Sequence, residues 1–263
     1  MVGSRCGSLK VAAASLCAPL LVVLLALDAD AALRHQYTFN DGTANDSVGG
    51  AHGNVVDPMA ISRYVGGQID VSANNGELSA QNFSLPTTRG AYVNLPNGIV
   101  SQAFSGGTAG AASFETWATV QTNRGWAELF SFGLSNQGED MSGAGDQTDY
   151  ITLIPQTGTA PAFHRITTHA AGVGQEGFAE TTPLPTGAQH HIVVTADHND
   201  LSAGANGTLK LFLNNNLVDT GPIANLIDLG NMLDDNNWLG RSQWNDALFD
   251  GSYNEFRIYD HVL

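Results

Sequence analysis

Short runs of β-branched and aromatic residues, each closed by Gly, Asn, Asp or Pro, recur from Arg34 to the C-terminus, and they constrain the chain more than any other feature. They read RHQYTF, AYVNL, SFETWATV, AELFSF, YITLI, AFHRI, HHIVVTA, TLKLFL, NNWLG and YNEFRIY. In TLKLFL, Leu209, Leu211 and Leu213 share one face while Lys210 and Phe212 share the other, the period of two that defines a strand. FLNNNLVD reads as a hairpin, because Asn214 to Asn216 tolerate the positive φ of a tight turn. The best helical stretch, IANLIDLGNML from Ile223 to Leu233, is broken by Gly230. Many short strands with frequent turns predict an all-β fold, a sandwich of two antiparallel sheets. With no linker, low-complexity tract or internal repeat, residues 32–263 are expected to form a single domain.

Residues 1–31 read as a signal peptide. Arg5 and Lys10 precede the apolar run Val11 to Leu27, and Ala29, Asp30 and Ala31 supply a cleavage site. A short signal helix, cleavage before Ala32 and a chain secreted or held at the cell surface are the expectation. Pro19 interrupts a run already short for a span, so no stable membrane insertion is expected after cleavage. Cleavage also removes Cys6 and Cys17, and with them disulfides and thiolate chemistry. The formal charge is −15, from 10 basic against 25 acidic residues, and past the signal Lys210 is the sole lysine. Such a balance repels phosphate backbones, which excludes nucleic acid as a partner.

Four stretches in order, HHIVVTADHN, GTLKLFLNNNLVDTG, NNWLGRS and GSYNEFRIYDHVL, resemble the LamG-like (laminin G type 3) domains of the concanavalin A-like lectin/glucanase superfamily. The resemblance spans the chain after the signal, with departures at Gln189, Ala196 and Asn254, where the family usually has Trp, Tyr and Asp. It implies a jelly roll whose first and last strands are neighbours. It also implies a structural Ca2+ ion in the loop after Phe39, held by Asp46, by Asn254 from the closing strand and by backbone oxygens from Val48 to His52. The same loop, ANDSVGG, also reads as an Asx turn in which Asp46 caps backbone N–H groups.

Two groups of residues are candidates for ligand binding. WLGRSQWND places Arg241, Gln243, Trp244, Asn245 and Asp246 in a connection, where an indole face and amide or guanidinium donors suit a sugar; a hydrated turn is the plainer alternative. On SFETWATV, Glu115 and Trp117 share a face, as a sugar platform beside a carboxylate would. His190 and His191 are adjacent in a strand and point to opposite faces, so they cannot chelate one ion. The paired-carboxylate strand of jelly-roll glycosidases, the motifs of jelly-roll lyases and a Gly-x-Ser-x-Gly elbow are all absent, although the loop GEDMSGAGDQTD is acidic. The reading is a non-catalytic extracellular recognition or adhesion module that binds glycan or a protein partner through rim loops. A glycan-active hydrolase or lyase of the same fold is the alternative.

Overall fold

The period-two runs fold as strands. A computed structural model describes residues 1–3, 32–74, 90–143, 148–158, 160–172 and 175–263; the expected signal segment with its cleavage site, and Asp146, lie outside the described residues. In chain order the first seven strands are β1 (Leu33–Tyr37), β2 (Asn54–Val56), β3 (Arg63–Val65), β4 (Gln68–Asp70), β5 (Tyr92–Leu95), β6 (Ala111–Thr122) and β7 (Phe130–Gly133). The remaining strands are β8 (Tyr150–Ile154), β9 (His164–Ala170), β10 (Gln175–Thr181), β11 (Gln189–Asp197), β12 (Thr208–Leu213), β13 (Asn216–Pro222), β14 (Asn236–Leu239) and β15 (Asp250–Tyr259). They form two antiparallel sheets. The first runs β13-β12-β11-β6-β15-β4-β3, with β1 also on β15, and the second runs β10-β9-β8-β7-β14-β5-β2. First and last strands are neighbours as expected, with Tyr37 opposite Phe256.

The core lies between the sheets, as alternation requires. Phe114, Ile192, Val194, Leu209, Leu211, Phe256 and Ile258 face inward from the first sheet, and Phe130, Phe132, Ile151, Leu153, Ile166 and Leu239 from the second. At its centre the rings of Phe130 and Phe132 stack at 4.7 Å, and Phe114 tilts against both at 5.4 and 5.5 Å. On the second sheet, burying Ile151 and Leu153 turns Tyr150, Thr152 and Ile154 to the outer face.

Two local features depart from the sequence reading. Helix α1 forms at Ile99–Ser105, where that reading has no helix, while Ile223 to Leu233 folds as turns in keeping with its Gly230 break. The start of α1 has no side-chain cap of its own; the distant Asp234 carboxylate accepts from Val100 N at 2.8 Å and from the Ser101 hydroxyl at 2.6 Å. The second departure is in β15, whose register slips between Tyr253 and Glu255. This bulge ends the alternation that would carry Asn254 inward with Phe256. Tyr253 enters instead, donating its hydroxyl to Leu129 O at 2.7 Å, and Asn254 stays half-buried.

Candidate functional site

A cavity of about 260 Å³ opens on the outer face of the second sheet. Its floor is Tyr150, Thr152 and Ile154 of β8 with Thr167 of β9, and Glu176 of β10 stands at one side. The walls come from two connections far apart in sequence: Trp126 and Glu128 precede β7, while Trp244 and Asp246 follow β14. Trp126 is 41% exposed and adopts φ +67°, a left-handed conformation that a bulky L residue rarely takes. Its indole lies over Gly158, where an added Cβ would come within 2.4 Å of Nε1. Trp244 is half-buried and fixed, its Nε1–H donating to the Tyr150 hydroxyl at 3.1 Å.

The carboxyls of the cavity are unusual. Glu128 is only 3% exposed, and burial pushes its carboxyl up to about 8, although the Ser131, Thr152 and Ser242 hydroxyls pull the other way. Burial likewise raises Asp246 to about 6, against the Ser242 hydroxyl that contacts it at 3.4 Å. Two cavity-lining polar atoms, Glu128 Oε2 and Thr167 Oγ1, are buried without a hydrogen-bond partner among the described residues. An unsatisfied buried polar atom costs about 1–3 kcal/mol, so two of them in one cavity point to a ligand that supplies the missing bonds.

Of the connection WLGRSQWND, the structure brings Trp244 and Asp246 to this cavity and takes Arg241 and Gln243 away from it. Arg241 is fully buried with its guanidinium over Trp238 at 4.0 Å, donating to the Tyr92 hydroxyl, the Ser142 hydroxyl and Asp140 O at 2.8, 3.1 and 2.9 Å. Burial holds it below the usual arginine range. It ties Asp140 and Ser142 to the sheet, and its full burial keeps it out of reach of a sugar. Gln243 is fully buried too, exchanging amide hydrogen bonds with Asn236: Nε2 donates to Asn236 O at 2.9 Å and Oε1 accepts from Asn236 Nδ2 at 3.2 Å.

Glu115 and Trp117 lie on the outer face of the other sheet. Glu115 accepts from His191 Nε2 at 2.7 Å, Arg257 Nη1 at 3.1 Å and the Tyr259 hydroxyl at 2.7 Å. Trp117 stacks on His191 at 4.4 Å from the β11 side and takes the Arg257 guanidinium at 4.8 Å from the β15 side. Both faces of its indole are therefore filled by the protein, which leaves no platform for a sugar ring.

The loop after Phe39 does not fit calcium. Asp46 accepts from Gln36 N at 2.9 Å, His35 Nδ1 at 2.7 Å, Val48 N at 3.0 Å and Ala51 N at 3.0 Å. Burial raises this carboxyl, but those hydrogen bonds outweigh it and hold Asp46 below the usual carboxylate range. Val48 thus turns an N–H inward where a carbonyl ligand was expected, and His52 Nδ1 accepts from Asp46 N at 3.2 Å. Among the described residues no group of three or more His, Cys, Asp or Glu side chains is placed to hold a metal. The Asx-turn reading describes this loop.

Sequence reasoning missed Trp126, Glu128, Tyr150, Thr152 and Thr167. One signal was present for Glu128, a carboxylate inside the apolar run WAELF. Nothing in the sequence joins that run to Trp244.

Two antiparallel sheets packed as a sandwich, with the first strand beside the last, define the concanavalin A-like class of jelly roll. The family comparison makes the assignment: residues 87–263 match the laminin G type 3 family of the concanavalin A-like lectin/glucanases superfamily, and the chain belongs to it. Domain 4 of AbnA, a GH43 extracellular arabinanase from Geobacillus stearothermophilus solved in complex with arabinotriose, superposes with TM-score 0.57 at 21% identity, covering 89% of this chain and 94% of that one. The Ruminococcus gnavus IT-sialidase CBM40 bound to α2,3-sialyllactose gives 0.38 at 15% identity, over 65% of this chain and 90% of that one. A mutant of the alginate lyase Aly36B with alginate trisaccharide gives 0.41 at 12%, over 80% and 88%. The first shows the shared fold; the other two are too loosely superposed to argue from. No curated protein matches the sequence. Among the described residues no helix is long and apolar enough to cross a membrane.

Proposed function

We propose that this protein is an extracellular glycan-recognition module whose ligand sits on the outer face of the second sheet, between Trp126 and Trp244. The observation that carries the reading is the cavity itself: two indoles at its walls and two buried, unpartnered oxygens, Glu128 Oε2 and Thr167 Oγ1, at its lining. A sugar ring offers C–H faces to indoles and hydroxyls to such oxygens. That a domain of this fold holds arabinotriose is in keeping with it. A glycan array probed with wild-type protein and with Trp126→Ala and Trp244→Ala tests the proposal. Each variant should keep the wild-type melting profile within a few degrees and lose about tenfold in affinity, roughly 1.4 kcal/mol. Absence of any glycan ligand for the wild-type protein would end this reading.

A second reading, a glycan-active hydrolase, is favoured by one observation. Glu128, raised to about 8, would stay protonated near neutrality with Asp246 in the same cavity, as a general acid and its partner require. Release of reducing ends from a polysaccharide panel, lost in Glu128→Gln, would establish it.

A further inference from the structure

We infer that the cavity between Trp126 and Trp244 selects a glycan bearing a positively charged amine, an unacetylated amino sugar, over neutral and carboxylated sugars. The inference rests on the glycan-binding reading and names its ligand class. Among the described residues three carboxyls, Glu128, Asp246 and Glu176, line the cavity, and no Lys, Arg or His does. Arg165 reaches Glu176 at 3.6 Å from outside, but that guanidinium is engaged by Glu180 at 2.6 Å and lies over the Phe178 ring at 4.2 Å. A carboxylated sugar would bring a negative group among acidic side chains with no cation in the lining to meet it.

The neutral parts of the cavity favour an amine as well. Indole faces attract a cation through the ring quadrupole, by about 0.5–2 kcal/mol. An ammonium carries three N–H donors, and the unpartnered Thr167 Oγ1 and Glu128 Oε2 can accept them, Glu128 releasing its proton to solvent as the cation binds. The elevated Glu128 carboxyl records how poorly this site holds a negative charge alone, and a bound cation removes that penalty. The −15 charge of the chain steers cations toward it and anions away.

Calorimetric titration with three short oligosaccharides decides the matter: glucosamine oligomers with free amines, the same oligomers N-acetylated, and oligogalacturonate. The measurements belong near pH 6, where a sugar amine is still protonated, and in about 0.15 M salt, which screens charges beyond about 8 Å. The free-amine oligomer should bind at least tenfold tighter than its acetylated form, and oligogalacturonate should not bind. Glu128→Gln and Asp246→Asn should each shrink the amine preference by several fold while circular dichroism stays unchanged. Equal or better binding of the acetylated oligomer would overturn the amine selectivity and leave glycan recognition standing. Tighter binding of oligogalacturonate would do the same. Binding that trilysine reproduces and that survives Trp244→Ala would be general attraction to an acidic chain, and the inference would fall. Should none of the three oligomers bind, the inference fails outright, and the glycan array decides separately whether recognition of another sugar survives.

Discussion

Asp46 shows how one residue type admits opposite chemistries. The sequence offers an oxygen-rich loop, and oxygens invite a cation; the structure turns the loop's N–H groups toward the carboxylate and makes Asp46 the acceptor of four donors. A cation cannot replace a donor set without inverting the loop. Asp46→Ala should therefore cost about 3 kcal/mol, since it strands several donors at about 1–3 kcal/mol each. It should do so equally in chelator and in millimolar calcium. Urea unfolding under both conditions checks this, and a wild-type midpoint that rises with calcium would restore the ion to the loop. Arg241 makes the same point with the sign reversed. A guanidinium in a Gly/Asn/Asp-flanked connection looks available to a ligand, yet it is buried against Tyr92, Ser142 and Asp140, which its own sequence neighbourhood does not reveal.

The elements were legible where a local rule fixes them. Period two located most strands, and the Asn214 to Asn216 turn does hold positive φ at Asn214 and Asn215. What escaped was set by distant partners: α1 is capped by Asp234, and the β15 bulge exists only against β6. The cavity escaped for the same reason, its two walls meeting only once β7 and β14 pair. The turn carrying Trp126 is the element with a cost built in. A non-Gly residue in the left-handed region is disfavoured by about 1–2 kcal/mol, so Trp126→Gly should be about 1 kcal/mol more stable than Trp126→Ala, while both lose the indole and bind glycan equally poorly. Thermal melts of the pair measure the difference. Identical melts would show that this backbone is not left-handed in solution.

Across the whole molecule two buried groups titrate against each other. Burial lowers His164 from 6.5 to about 4, so the unfolded chain takes up this proton first; stability is full above pH 6.5 and is lost as pH falls toward 4. Glu128 is raised from 4.5 to about 8, so the folded chain keeps this proton longer; its contribution is full below pH 4.5 and is lost as pH rises through 8. Between pH 4.5 and 6.5 the two slopes have opposite sign, each about 1.4 kcal/mol per pH unit. Asp246, raised to about 6, acts in the same direction as Glu128. The wild-type protein should accordingly hold or gain stability on mild acidification, an unusual property for a domain with a buried histidine. Glu128→Gln removes one side of the balance. That variant should be more stable than wild type by about 4 kcal/mol at pH 8, and this advantage should shrink by about 1.4 kcal/mol per pH unit toward pH 4.5. Adding His164→Asn should then remove the acid-labile slope from the variant. Urea midpoints across this range test both steps. If Glu128→Gln tracks the wild-type curve in parallel, Glu128 is not buried as a neutral acid, and its oxygen is not held in wait for a ligand.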